Sequence, residues 1–262
     1  MESESRLILV GTVIVAALAG GVYYYHELQR DEPVPPPTGV TAPSELPPPE
    51  PEIKYPIQTP ATATTKPLPA LAESDATLEQ ALSELADKSA LARFFELDSI
   101  VRRVIVTLDS LPRKKMPQRY NLAKPVEGKF AITGKDDNLT LSADNYRRYA
   151  PMIALLERVD TQKLAALYRR FYPLFQEEYR NIGSPKQYFN DRVVEVIDDL
   201  LAAPDPKAPV KLIRPRVFYQ FADAELENLS AGQKLMIRLG SDNAARVKAK
   251  LQEIRSEITT AR

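Results

Sequence analysis

The chain has 262 residues, 44% hydrophobic and 27% charged, enough for one or two domains with a real core, and its 35 basic and 35 acidic side chains cancel. That balance creates no overall field toward nucleic acid or acidic partners. There is no cysteine and a single histidine, His26; this excludes disulfides, thiol nucleophiles and cysteine metal sites, and leaves a domain beyond residue 26 without an imidazole base, a histidine ligand or a Ser-His-Asp triad.

After a six-residue head (1–6), residues 7–25 read LILVGTVIVAALAGGVYYY, nineteen positions without a charge. At ~1.5 Å per residue they reach about 28 Å, near the hydrocarbon thickness of a bilayer, and predict one transmembrane helix. Tyr23, Tyr24 and Tyr25 fall where an interfacial aromatic belt belongs. A cleaved signal peptide ending at Ala17-Leu18-Ala19 is the competing reading; the acidic leader and the apolar run beyond Ala19 favour a retained anchor. Ala16/Gly20 and Ala17/Gly21 have the spacing that lets helices pair in lipid, and so allow a homodimer through this segment. Arg6 and Arg30 leave the positive-inside rule nearly balanced. The short head favours placing the bulk of the chain outside the cytoplasm, which is the periplasm if the cell is Gram-negative.

Residues 26–73 are expected to be a linker. Thirteen prolines lie between 33 and 70. Proline fixes φ and lacks a donor, so this stretch favours polyproline II: a strut of at most about 120 Å, or an SH3-type docking segment. Residues 1–70 hold 8 acids and 4 bases, leaving 27 (35 − 8) and 31 (35 − 4) beyond them, a mild excess of +4.

Residues 74–262 predict a mainly α, multi-helical domain with one small β-hairpin. Thr77-Leu78-Glu79-Gln80 has capping-box spacing and opens a helix to about Lys88. A second is expected from Ala90 to Ser110, stopping before Pro112. KFAITGKDDNLTL (129–141) reads as a hairpin. Helices follow at 144–159, 161–181, 185–202, 223–229, 231–239 and 242–259. Ser184-Pro185 has the form of an N-cap and first helical residue, and Gly183 and Gly240 sit where C-terminal caps belong.

Helical periodicity sorts the faces. Leu164, Leu167, Tyr168, Phe171, Leu174, Phe175, Tyr179 and Ile182 share one side; Arg169, Arg170, Gln176, Glu177 and Arg180 point away. Tyr146, Tyr149, Met152, Ile153, Leu156 and Val159 form a second stripe, opposite Arg147 and Arg158. Pro151 and Pro173 are expected to kink their helices or mark where each effectively starts. Two acids break the pattern: Glu178 within its stripe, and Asp98 at the edge of the Phe94, Val101, Ile105, Leu108 face. Both are candidates for buried charge, which needs a partner. Arg102, four residues after Asp98, supplies one and brings Asp109 to the same edge. An ion-pair seam between helices and a tuned acid or arginine anion site both satisfy that requirement.

The segments RRVIVTLDSLPR, YRRYAP, LYRRFYPLFQEEYRNIGSP, FNDRVVEVIDDLLAAP and FADAELENLSAGQKLMIRLGS together resemble the bacterial family known as domain of unknown function 3014. The resemblance covers about residues 75–260, together with the anchor-and-proline layout ahead of them. It implies a proteobacterial inner-membrane protein with no assigned activity. Positions matching the shared motif are Arg102, Arg103, Asp109, Leu111, Pro112, Arg113, Arg148, Tyr149, Asn190, Gly232 and Lys234. Of these, Arg102, Arg103, Asp109, Arg113, Arg148, Tyr149, Asn190 and Lys234 are the binding candidates. The family pattern has Asn at the Ser110 position, an aromatic at Ser184 and a small residue at Glu178, which argues against Glu178 being essential.

No Walker-type loop, dinucleotide fingerprint or nucleophile elbow occurs, so no catalytic residue, cofactor or metal is assigned. The basic loop SLPRKKMPQR carries Arg113, Lys114, Lys115 and Arg119, a solvated loop or a contact to phosphates, headgroups or acidic glycans. These features favour a non-enzymatic interaction or scaffold domain with a protein partner in the cell envelope. The alternative is a carboxylate-based enzyme on cell-wall glycan, for which EVIDDL supplies Glu195, Asp198 and Asp199, although Asp199 and Glu195 face outward on the helical wheel.

Overall fold

The computed structural model describes residues 52–58 and 67–260, apart from 118, 136, 137, 185 and 208. The apolar run at 7–25 and most of the Pro-rich stretch lie outside the described residues. Among those described, no helix is long and apolar enough to cross a membrane.

The domain is mainly helical with a small antiparallel sheet. A single 3-10 turn leads into α1 (Ser74–Ser83). Thr77 lies inside α1, so the expected capping box does not form. Ser74 Oγ donates instead to the Leu71 carbonyl at 2.8 Å, and Asp75 caps a different helix. The helix expected from 90 to 110 is two: α2 (Lys88–Phe94), capped by Asp87, and α3 (Ile100–Ser110). Between them the backbone is taken by other partners. Phe95 bridges Ala123, Glu96 N–H donates to the Leu122 carbonyl, and Ser99 adopts φ 50°. Asp75 Oδ2 and Oδ1 then accept from the Ser99 and Ile100 N–H groups at 2.6 and 2.8 Å, closing the start of α3.

The two longest predicted stripes are present as α4 (Asp144–Arg158) and α5 (Thr161–Asn181), and each helix continues through its proline. Phe171, Leu174, Phe175 and Tyr179 are buried as the periodicity requires, while Glu177 and Arg180 are exposed. Gln176, expected on the outer face, is buried. Its Oε1 accepts from the Phe189 N–H at 2.8 Å, and the Tyr172 hydroxyl accepts from the Asn190 N–H at 3.2 Å. These two side chains satisfy orphan donors at the start of α6 (Phe189–Leu201), which therefore begins beyond the expected Ser184-Pro185 cap. Gly183 (φ 115°) and Gly240 (φ 82°) close α5 and a later helix in the left-handed region, where glycine carries no Cβ penalty.

The hairpin expected at 129–141 forms as β1 (Ile132–Thr133) and β2 (Leu139–Leu141). It is half of a larger sheet, because β3 (Lys211–Ile213) and β4 (Gln220–Phe221) extend it in the order β1-β2-β3-β4. Leu139 pairs with Leu212, and Leu212 with Phe221. The chain ends in α7 (Ala224–Asn228), α8 (Ala231–Leu239) and α9 (Ser241–Thr259); Asp223 and Ser230 cap α7 and α8.

Three apolar clusters hold these elements. The largest joins α1, α3, α5 and α6 around Ile105, Phe171 and Phe189, all fully buried. A second lies between α4, α6, α8 and α9, and a third seats Leu141, Leu212 and Phe221 of the sheet on Ile237 of α8. Each fully buried Leu, Ile or Phe contributes about 1.5–3 kcal/mol, so clusters of this size carry the domain.

Candidate functional site

At the start of α6, Tyr188, Asn190 and Asp191 bond to backbone far away in sequence. Residues 52–58, within the stretch read as linker, lie against it. Asp191 Oδ2 accepts from the Lys54 N–H at 3.0 Å and Oδ1 from the Tyr55 N–H at 2.8 Å. The Tyr188 hydroxyl accepts from the Ile57 N–H at 2.7 Å, and Asn190 Nδ2 donates to the Tyr55 carbonyl at 2.9 Å. Position 56 is proline, which has no N–H to satisfy. The backbone donors of residues 54, 55 and 57 are thus all held by side chains of one helix start.

Asn190 is completely buried. Besides Tyr55 it donates to the Ile258 carbonyl of α9 at 3.1 Å and accepts from the Tyr168 hydroxyl at 3.1 Å. One amide therefore ties α5, α6, α9 and the Pro-rich segment together. Tyr168, Tyr172 and Tyr188 pack around it, the last two with ring centroids 5.4 Å apart. Burial holds the Tyr168 and Tyr172 phenols well above the usual tyrosine range, so they act as neutral hydroxyls.

The opposite wall comes from the end of α3. Asp109 Oδ1 accepts from Arg192 Nε at 3.0 Å, its carbonyl accepts from Nη2 at 2.9 Å, and Arg113 closes on its other carboxylate oxygen. Glu195 pairs with Arg192 at 2.8 Å. Burial works against the Arg192 cation, but Glu195 and Asp109 outweigh it and hold the guanidinium above its ordinary value. Between the walls is an open cavity of about 720 Å³, lined by Glu52, Tyr55, Asp109, Arg113, Arg192 and Glu195 among others. Its rim carries both charge signs, and its wall includes the protein's own docked segment. Among the described residues no group of three carboxylates could hold a metal ion.

The candidate residues are distributed over several places. Asp109, Arg113 and Asn190 belong to this groove or its floor. Arg102 pairs with buried Glu178 at 3.6 Å and stacks on Tyr120, which adopts φ 64°. Asp98 is exposed and not buried, because the chain leaves helical geometry there; its partner is Arg103, at 2.8 Å, and not Arg102. Asp109 consequently does not share an edge with Asp98. Arg103 also donates to the Asn121 carbonyl at 3.0 Å. Arg148 clasps a loop by donating to the carbonyls of Val126, Glu127 and Gly128. Tyr149 packs in the second apolar cluster, and Lys234 donates to Glu227 at 3.1 Å. Asp198 pairs with Arg255 at 2.7 Å, and Asp199 accepts from the Ser230 hydroxyl.

Tyr188, Asp191 and Arg192, at the start of α6, were not singled out from the sequence. Their signal was present in YFNDR, an aromatic and alternating polar side chains at a helix start, but only the docked segment shows what they hold. Asn145 was also missed. Fully buried, it pins the hairpin to α4, with Oδ1 accepting from the Ala131 N–H at 3.0 Å and Nδ2 donating to the Ala131 carbonyl.

No curated protein and no solved structure matches the chain. The family model described as "Protein of unknown function (DUF3014)" matches residues 100–255, from the start of α3 into α9 and across both walls of the groove, and the chain belongs to that family.

Proposed function

We propose that this is a single-pass inner-membrane protein, anchored through residues 7–25, whose helical domain is a non-enzymatic binding or scaffold module in the cell envelope. The groove between α3 and α6 is its binding site. One observation carries the reading: the polar side chains at the start of α6 are used to grip polypeptide backbone. Asp191, Tyr188 and Asn190 satisfy three N–H groups and a carbonyl of a Pro-rich segment. A carboxylate-based glycan enzyme needs two carboxyls facing each other across about 5–10 Å with room for substrate between them. Here Asp109 and Glu195 both close on the Arg192 guanidinium, which favours recognition over hydrolysis.

The test combines topology with capture. Alkaline phosphatase and a green fluorescent reporter, each fused after Arg262, are expected to give phosphatase activity without fluorescence. A photo-crosslinking residue at Glu195 is then expected to trap an envelope protein that the same residue at exposed Glu177 does not. Fluorescence without phosphatase activity overturns the periplasmic reading. Identical adducts from both positions overturn the groove.

A further inference from the structure

The sheet ends in a feature that neither the core nor the groove uses. Leu212 and Phe221 pair across β3 and β4 and face inward, where a hairpin on a helical domain should bury one side. The outward side and the tip expose apolar residues as well. Ile213, Val217 and Phe218 are 45%, 69% and 76% exposed, three of the four exposed large hydrophobic residues among those described. The tip is held in shape. Arg214 Nε donates to the Val217 carbonyl at 3.3 Å, its guanidinium lies 5.3 Å from the Tyr219 ring centroid, and Tyr219 stacks on Phe130 at 5.6 Å. Along the hairpin itself the charge has one sign: between Asp205 and Asp223, residues 206–222 contain Lys207, Lys211, Arg214 and Arg216 and no acid. None of Lys211, Arg214 and Arg216 forms an ion pair with a described carboxylate.

We propose that the β3–β4 hairpin is a membrane-contact site for anionic phospholipid, with Val217 and Phe218 entering the headgroup boundary and Lys211, Arg214 and Arg216 meeting the lipid phosphates. Exposed apolar side chains in a segment whose only charges are bases are the composition that binds such an interface. The length of chain outside the described structure supports a bilayer over a soluble partner. Residues 26–51 separate the uncharged run from the docked segment, and 26 residues of any conformation reach at most about 90 Å, so a tethered domain meets its membrane at high effective concentration. The proposal rests on the anchor reading for that tether.

Because the chain has no cysteine, Val217→Cys introduces a unique labelling site into the full-length protein. An environment-sensitive nitrobenzoxadiazole label there, with the chain reconstituted in phosphatidylcholine vesicles with and without phosphatidylglycerol, is expected to shift to the blue and be quenched by doxyl lipid when phosphatidylglycerol is present. A label at Glu177→Cys on α5 is expected to stay aqueous. Lys211→Glu with Arg216→Glu, two exposed positions, should abolish the shift while vesicle flotation is unchanged. An aqueous Val217→Cys label in anionic vesicles overturns the proposal, as does an equal shift in pure phosphatidylcholine or at the α5 position. Loss of the protein from vesicles on a carbonate wash overturns the anchor reading separately, and added phosphatidylglycerol vesicles then read the hairpin alone by the same shift.

Discussion

Gly232 shows how little room single positions have. Its N–H donates to the Leu111 carbonyl at 2.8 Å, so the start of α8 sits directly on the end of α3. A Cβ there would stand 2.6 Å from Leu200 Cδ2 and 3.3 Å from the Leu111 carbonyl oxygen. Gly232→Ala is therefore expected to destabilise the domain by about 1–3 kcal/mol, read as a lower urea midpoint at unchanged slope. Asn190→Ala removes a buried amide with partners on three other segments, leaving the Tyr55 and Ile258 carbonyls unsatisfied; a loss of about 2–4 kcal/mol is expected in the same titration. Glu178 makes the contrasting case. It is buried, but its partner Arg102 is half exposed and remains hydrated when the carboxylate is removed. Glu178→Gln is expected to cost no more than about 1 kcal/mol, and a larger loss would show that the pair seals α3 to α5. From the sequence, Glu178 was recognisable as an acid in an apolar stripe. Its partner was not, because Asp98 stands nearer to Arg102 along the chain.

At the scale of elements, the Pro-rich segment and α6 depend on each other. Asp191 takes both the Lys54 and Tyr55 N–H groups, so Asp191→Ala leaves the segment without its first clamp. Limited trypsin digestion is expected to cut at Lys54 severalfold faster in this variant than in the parent, since cleavage follows the population of the opened segment. Equal rates would mean that the Tyr188 and Asn190 contacts hold it alone. Helices with strong stripes, α4 and α5, were legible because their apolar residues recur at the helical period over four turns or more. The break between α2 and α3 was not, because LARFFELDSI is acceptable helix locally and is diverted by pairing with residues 122–124. The second half of the sheet escaped for the same reason: KLI and QF are too short to announce strands, and Leu139 finds Leu212 across a long loop of chain.

The whole molecule is tied at its surface by carboxylates whose partners lie on other elements. Glu157 of α4 pairs with Arg246 of α9, and the Thr161 hydroxyl and Lys250 both contact Glu253. Arg246 holds the Glu157 carboxyl below the usual range, Thr161 and then Lys250 lower Glu253, the Lys163 N–H lowers Asp160, and Arg103 lowers Asp98. A carboxylate with a depressed folded pKa adds stability that is present above its unfolded value and is lost as pH falls through the folded one. Thermal unfolding followed by circular dichroism should thus show a constant midpoint from pH 7 to about 5 and a progressive fall below about pH 4. A midpoint falling already between pH 7 and 5 would point to other groups, since no histidine lies in the described residues.

Taken alone, the order of residues determined the exclusion of thiol chemistry, and of imidazole chemistry beyond residue 26, the mainly helical class, the long amphipathic helices, the glycine-terminated ends and the family. Each is written in composition or in neighbours a few positions apart, where backbone geometry makes periodicity readable. The tertiary structure alone decided that Asp98 pairs with Arg103, that α6 starts at Phe189 under the Gln176 and Tyr172 side chains, that the sheet has four strands, and that residues 52–58 dock beside Asp109 and Arg192. Those outcomes depend on which distant groups satisfy a buried donor or acceptor first. That competition is settled only once helices far apart in sequence are packed against one another.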